Sequence, residues 1–319
     1  MKGHVTLFLK GMGMGAADAV PGVSGGTIAF VTGIYRELIE TIRRFGPSAV
    51  TALRQGGWRA LVHHLNPAFL LPLMAGIGVS ILSLAHLVGY LLDQHALLLN
   101  AFFLGLVGGS AVVVARRLEG FSLHFLLPLL VGALLAHYLP VLLPGGSGSL
   151  MLFFGGAIAI SAMLLPGVSG SFLLLTMGMY HTIIDAIRGF DIVTLLQFSL
   201  GCLVGLFTFS RLLSWLFRHH YLKTLYLLVG FILGSLPVLW PWRTLSSYEM
   251  TPDGEVIPLG HELLTPEAFT AVTGQPAQLW GALLLMVTGF LLVVAVGERS
   301  DATRSEASSD AEGSKMSKE

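Results

Sequence analysis

Charge is what this sequence has least of. Only 11% of its 319 residues are Asp, Glu, Lys or Arg, while 54% are hydrophobic. A soluble domain carries about a quarter charged residues, so most of this surface must face lipid rather than water. The two signs balance at 18 residues each, which leaves no overall positive field to favour nucleic acid. The single cysteine, Cys202, lies in an apolar stretch and excludes an intramolecular disulfide. A secretory signal is not expected either. Lys2, a short apolar run and Ala17-Asp18-Ala19 imitate one, but residues 5–9 are too short an apolar core, and the segment recurs later in the chain.

What the chain has in abundance is long apolar runs. About 20 such residues are needed to cross about 30 Å of hydrocarbon. Residues 68–92, 96–115, 121–143, 192–217, 224–241 and 277–297 qualify, predicting six ordinary spans in an all-α polytopic membrane protein. Residues 149–184 form a further stretch without a formal charge, broken at Pro166-Gly167-Val168-Ser169-Gly170. Each arm would reach only about 22–26 Å at 1.5 Å per residue. A re-entrant hairpin fits better, because broken backbone is tolerated in a membrane only where protein or a watery cavity surrounds it. Residues 5–35 read the same way, broken at Pro21-Gly22-Val23-Ser24-Gly25.

The two hairpins are copies. Aligning residues 21–45 with 166–190 needs no gap and gives 11 identities in 25 positions. Besides the PGVSG core they are Gly33/Gly178, Tyr35/Tyr180, Ile39/Ile184, Ile42/Ile187, Arg43/Arg188 and Phe45/Phe190. Downstream, GLVGGSAVVV at 105–114 resembles GFILGSLPVL at 230–239. Such duplications mark transporters. The expected division is a first repeat over 1–118, with an amphipathic loop at 36–66, a linking span in 119–148, and a second repeat over 149–241. A loop at 242–276, the last span at 277–297 and a disordered Ser-, Asp-, Glu- and Lys-rich tail at 298–319 follow.

Loop charges set the expected topology. Residues 36–66 carry Arg36, Arg43, Arg44, Arg54 and Arg59 against Glu37 and Glu40, and Arg116-Arg117 and residues 218–223 are basic too. Residues 242–276 hold Arg243 alone against Glu249, Asp253, Glu255, Glu262 and Glu267. With the basic loops and both termini in the cytoplasm, three spans separate the hairpins. An odd number makes the repeat inverted, and the loop at 242–276 extracytoplasmic.

The motif suggests an anion site. Pro ends one helix, Gly permits the turn, and Ser24 or Ser169 caps the next helix. The N–H groups of Gly25, Gly26 and Thr27, or of Gly170, Ser171 and residue 172, then point into the break from the positive end of a helix. Simple capped turns are the plainer alternative. Asp18, three residues before Pro21, is a carboxylate at membrane depth and so a coupling candidate; its alternative is a structural pair with Lys10. Its repeat counterpart is Met163. Arg43 and Arg188, the cations kept by the duplication, either receive a phosphate or snorkel to the interface. Arg36, Glu37, His181 and Asp185 lie close enough in sequence to join them. Arg211 reads as a snorkelling residue. His86, His124 and His137 lack metal-ligand spacing, and neither metal nor cofactor is expected. Tyr35, Tyr180, Trp215, Trp240 and Trp242 suit an aromatic belt.

The run GMGMGAADAVPGVSGGTIAFVTGIYRELI resembles the first signature of the PopT-type polyprenyl-phosphate transporter family, and AIAISAMLLPGVSGSFLLLTMGMY resembles its second. The resemblance covers residues 5–297. It implies a bacterial inner-membrane protein that returns undecaprenyl phosphate, a carrier lipid of wall-polymer synthesis, to the inner leaflet. It also implies roles for Asp18, Pro21, Gly22, Ser24, Gly25, Gly26, Thr27 and Glu37, and for Pro166, Gly167, Ser169, Gly170, Ser171 and Tyr180. Undecaprenyl-pyrophosphate phosphatases of the BacA type are the rival. Their PGxSRS motif brings an arginine to the phosphates, where this sequence has Gly26 or Ser171, and no ExxxE pair lies in a span. Such a hairpin can hold an anion but lacks the groups to cleave it. An ion channel is a third, weaker alternative.

Overall fold

Backbone N–H and C=O groups cannot be left bare in an apolar layer, so a chain this hydrophobic satisfies them inside helices. The computed structural model describes residues 2–18, 24–116, 118, 123–142, 148–170, 173–174, 177–250 and 256–316. The first half comprises α1 (Lys2–Asp18), α2 (Gly25–Val31), α3 (Tyr35–Arg44), α4 (Pro47–His64), α5 (Pro67–Arg116) and α6 (Leu123–Leu142). The second comprises α7 (Ser149–Leu164), α8 (Tyr180–Arg188), α9 (Ile192–His219) and α10 (Tyr221–Ser235), then strands β1 (Arg243–Met250) and β2 (Val256–Leu263), α11 (Pro266–Thr273) and α12 (Leu279–Met316). Helix α5 is two helices joined at His95, whose φ of −138° and ψ of 35° are not helical. Asp191 caps α9, its carboxylate accepting the N–H groups of Val193 and Thr194.

Among the described residues, Gln94–Arg116, Ile192–His219, Tyr221–Leu239 and Leu279–Glu298 are long and apolar enough to cross a membrane. They match four of the six expected spans. The expected span 68–92 falls in the first half of α5, where Pro67–Ser83 forms a bent pair with Pro47–His64 at 45°. The expected span 121–143 is α6, whose apolar portion is His124–Tyr138.

Helix α2 runs back along α1. Gly25 N–H meets Asp18, Ile28 lies against Gly13, and Lys10 Nζ donates to the Thr32 carbonyl. The second arm is shorter than expected, only seven residues, because the chain turns at Gly33 with φ of +76°. Its repeat counterpart Gly178 has φ of +68°. Only glycine adopts that conformation without strain. The second copy folds back likewise: Gly170 lies against Met163, and Gly155 against Met177 and Met179.

Glycines also reveal the repeat in the packing. A Cβ at Gly11 would fall on the Leu73 backbone, and one at Gly76 on that of Phe8. The aligned pair does the same: Gly156 faces Phe198, and Gly201 faces Phe153. Thus α1 seats on the first half of α5 as α7 seats on α9, each through backbone approach that only small residues permit. The outer helices continue the rule. Gly105 and Gly109 of α5 receive Met286 and Phe290 of α12; the aligned Gly230 and Gly234 of α10 receive Leu129 and Ala133 of α6. Helix α6, expected as a linker between repeats, therefore stands against α10 as α12 stands against α5. Each half packs its last helix on the other half.

Insertions distinguish the copies. Helix α4, kinked at Gly57 with φ of +68°, occupies the expected amphipathic loop. Where the sequence suggests an extracytoplasmic loop, β1 and β2 pair antiparallel, with Arg243 opposite Leu263 and Met250 opposite Val256. The sequence between them, Thr-Pro-Asp-Gly-Glu, has turn composition. The indole N–H of Trp240 donates to Leu264 O and that of Trp242 to Ala277 O. Trp242, expected in the lipid belt, is instead buried and packs with Ala101, Phe269 and Ala282. Trp215 is exposed, stacking on His219, in keeping with a belt position. Finally, α12 continues as helix to Met316 through the tail expected to be disordered. Ala302, Ala307, Ala311, Glu306 and Glu312 favour helix locally even where composition offers no core to bury.

The glycine seats make a prediction. Gly201→Ala should lower thermal stability in detergent by about 1–3 kcal/mol through overpacking. Gly78→Ala, whose added Cβ would meet nothing within 4 Å, should leave the melting temperature unchanged or raise it slightly.

Candidate functional site

The first break is built by Ser24. Its extended backbone (φ −127°, ψ 136°) starts α2, and its Oγ accepts the Gly26 N–H at 3.1 Å. This is the N-cap that the sequence suggests. The remaining expectation, of donors left open for an anion, is altered. Gly25 N–H donates to Asp18 Oδ1 at 2.7 Å, and Thr27 N–H to Ser24 O at 2.9 Å. A carboxylate at the mouth of a helix N-terminus is drawn to the positive end of the dipole, so Asp18 already occupies the anion position. It leaves no room for a side chain at residue 25: a Cβ there would lie 2.6 Å from Asp18 Oδ2. Lys10, the proposed structural partner of Asp18, reaches Thr32 O instead.

The second break is satisfied by the first. Helix α7 ends at Leu164, leaving carbonyls that have no partner further along the chain. Ser24 Oγ donates to Met163 O at 3.1 Å, and the Tyr35 hydroxyl donates to Leu164 O at 2.7 Å. In return Gly167 N–H donates to Thr27 Oγ1 at 2.8 Å. Gly167 has φ of +85°, and any Cβ there would collide with Ser235 of α10. Among the described residues, these hydrogen bonds join the two motifs face to face. Tyr35, expected in the aromatic belt, is only 2% exposed and stacks edge-on with Phe30 and Phe217. Its hydroxyl has a backbone partner inside the protein, which holds it there.

A cavity of about 290 Å³ opens beside this junction. Asp18 of the first hairpin borders it, together with Met163, Ser169 and Gly170 of the second; Phe198 and Cys202 of α9 form part of its apolar wall. Asp18 and its repeat counterpart Met163 therefore line one space. Gly25, Gly26 and Thr27 are buried around the first break, and Ser171 lies outside the described residues.

Among the described side chains, Arg36, Glu37, Arg43 and Asp185 do not line that cavity. Arg43 Nε pairs with Glu40 at 3.0 Å. The side chains of Arg188 and His181 lie outside the described residues, while Arg36, Glu37 and Asp185 are exposed on their helices. Glu37 accepts a hydrogen bond from Asn66. Arg211 bends back to the Phe207 carbonyl and over Gly46, leaving no space for a side chain there.

Glu40 is the residue that sequence reasoning missed. It accepts from Ser214 Oγ at 2.6 Å and faces Arg218 at 3.5 Å, while Arg218 also donates to Ser214. This latch ties α3 to the end of α9. The repeat alignment held the signal, since Glu40 matches another acid, Asp185. Burial alone would raise the Glu40 carboxyl, but the Ser214 hydrogen bond and the charges of Arg43 and Arg218 outweigh it and hold it below its ordinary value.

Paired helix breaks, a duplicated helical frame and a small cavity beside them define a polytopic helical membrane protein. The profile of the VCA0040-like, undecaprenyl phosphate translocase-like family matches residues 14–257, and the chain belongs to this family. A polyprenyl-phosphate transporter of Vibrio cholerae serotype O1 is 43% identical over 293 residues, covering 91% of this chain and 95% of that protein. One from Staphylococcus aureus is 34% identical over 258 residues, covering 73% and 85%. These relatives are transporters, not enzymes. No solved structure matches the chain.

The latch carries a pH signature. A carboxyl held low when folded adds stability above its unfolded value of about 4.3 and loses it as pH falls through the folded value. Thermal unfolding followed between about pH 3 and 7 should show this acid-side loss in the wild type. Glu40→Gln should be less stable at neutral pH and flatter across the range.

Proposed function

We propose that this chain moves polyprenyl phosphate, with undecaprenyl phosphate the expected form, from the outer to the inner leaflet of a bacterial cytoplasmic membrane. That step recycles carrier lipid for cell-wall biogenesis. The observation that carries the reading is a cavity shared by Asp18 from the first hairpin and Ser169 and Gly170 from the second. At about 290 Å³ it is at the small end of ligand pockets. It suits a phosphate headgroup, while the prenyl tail stays in lipid. The names of the two relatives supply the substrate class.

In this reading the hairpins are re-entrant and inverted, with both termini cytoplasmic, as loop charge suggests. The phosphate competes with Asp18 for the α2 N-terminus. Two anions cannot share the Gly25 N–H, so Asp18 accepts a proton and yields its place as the headgroup arrives. Ser169 and the Gly170 backbone then hold the phosphate from the second break, and Ser24 holds it from the first. Proton uptake and phosphate entry are thereby one exchange, and alternating access follows as the two breaks part and rejoin. Arg43 and Arg188 receive the headgroup at the two faces, with Arg36, Glu37, His181 and Asp185 beside them.

Liposomes with an imposed pH gradient test this with polyprenyl phosphate as cargo. Ser24→Ala and Ser169→Ala should each slow translocation about tenfold, the cost of one hydrogen bond to a charged group. Asp18→Asn keeps an acceptor for Gly25 but cannot titrate, so its transport should no longer respond to the gradient. Wild-type rates and gradient response in all three variants would remove the hairpins as the substrate site.

A further inference from the structure

Helix α4 has no counterpart in the second half, and the mechanism above does not use it. Together with the end of α3 and the start of α5 it encloses a cleft of about 710 Å³, larger than the cavity between the breaks. Its lining includes Arg44, Trp58, Arg59, Val62, His63 and Asn66. We infer that this cleft is a second binding site, which takes the anionic phosphomonoester headgroup of a membrane lipid at the protein's basic face.

The chemistry of the lining selects an anion. Arg59 and His63 stand four residues apart and so share one helix face. Arg44 reaches in from α3, its guanidinium steadied by the His64 carbonyl at 3.3 Å. That bond uses one of five N–H groups and leaves the fork able to grip phosphate oxygens. The acid beyond the cleft, Glu37, is engaged by Asn66 at 3.4 Å.

The surroundings of the lining select a lipid rather than an ion in solution. Trp58 is 71% exposed, and Val50, Leu53 and Val62 are exposed on the same insertion. An apolar row beside Arg54 and Arg59 is the pattern of a helix lying in the headgroup layer. The turn at Gly57 divides α4 there, so Trp58 opens the second segment and Arg59 follows it directly. An indole at headgroup level and guanidiniums beside it suit a phosphate whose acyl or prenyl chain leaves sideways into the bilayer. The site rests on the proposed function only for the leaflet it faces.

Short-chain lipids test it on the purified full chain. Dioctanoyl phosphatidic acid, dioctanoyl phosphatidylcholine and inorganic phosphate are each titrated while tryptophan emission is read. The Trp58→Phe variant identifies the signal that comes from the cleft. Phosphatidic acid should change Trp58 emission saturably, and Arg44→Gln/Arg59→Gln should weaken that binding at least about tenfold. These positions border a surface cleft, and size-exclusion profiles check that the variant stays folded. Ser24→Ala should bind as the wild type does, which separates this site from the cavity between the breaks. The inference is overturned if phosphatidylcholine or inorganic phosphate binds as tightly as phosphatidic acid. It is equally overturned if the double variant binds like the wild type, or if Ser24→Ala abolishes the signal.

Discussion

A helix broken inside an apolar protein exposes backbone groups that have no water to turn to, and every other feature of this molecule accommodates that fact. The chain breaks two helices and uses side chains of the first hairpin to satisfy the backbone of the second, while the first break is met by its own Asp18 and Ser24. Ser24, Thr27 and Tyr35 serve Met163, Gly167 and Leu164. The duplication is therefore more than a sequence relic: the first copy supplies the polar side chains that complete the second.

The pairing is symmetric in position and asymmetric in chemistry. Asp18 fills the anion position at the mouth of α2, while Met163 holds the matching place and lends only its carbonyl to Ser24. Among the described residues that line the shared cavity, Asp18 is the one carboxylate. Two acids would repel each other there, and none would leave the α2 N-terminus open to any passing anion. The latch at Glu40 has the same one-sided character. Its partner Arg218 aligns with Asp93, so the first half of the repeat has no matching cation for the same ion pair.

Much of this was legible in the sequence because its grammar is local. Pro, Gly and Ser in PGVSG announce a break and a cap, and Ser24 caps α2 as its type and place imply. The duplicated hairpins follow from identity alone. What the sequence hid was partnership across long distances. Tyr35 reads as an interfacial aromatic until its hydroxyl is seen on Leu164, and Trp242 until its indole is seen on Ala277. The N–H groups of α2 look available until Asp18, seven residues upstream, is found on Gly25. Long apolar runs do identify α6 and the start of α12 as apolar helices. They do not say which neighbour each will choose, because glycine seats are read only when both helices are present.

That choice of neighbour sets a schedule for biogenesis. The seat on α5 at Gly105 and Gly109 is made early in synthesis, but its occupant, Met286 and Phe290, emerges near the end. Until then a grooved helix must wait in the bilayer with only lipid against it. The first half of the protein cannot finish folding before the second is nearly translated, so a nascent chain cut short in its last helix would leave both halves incomplete.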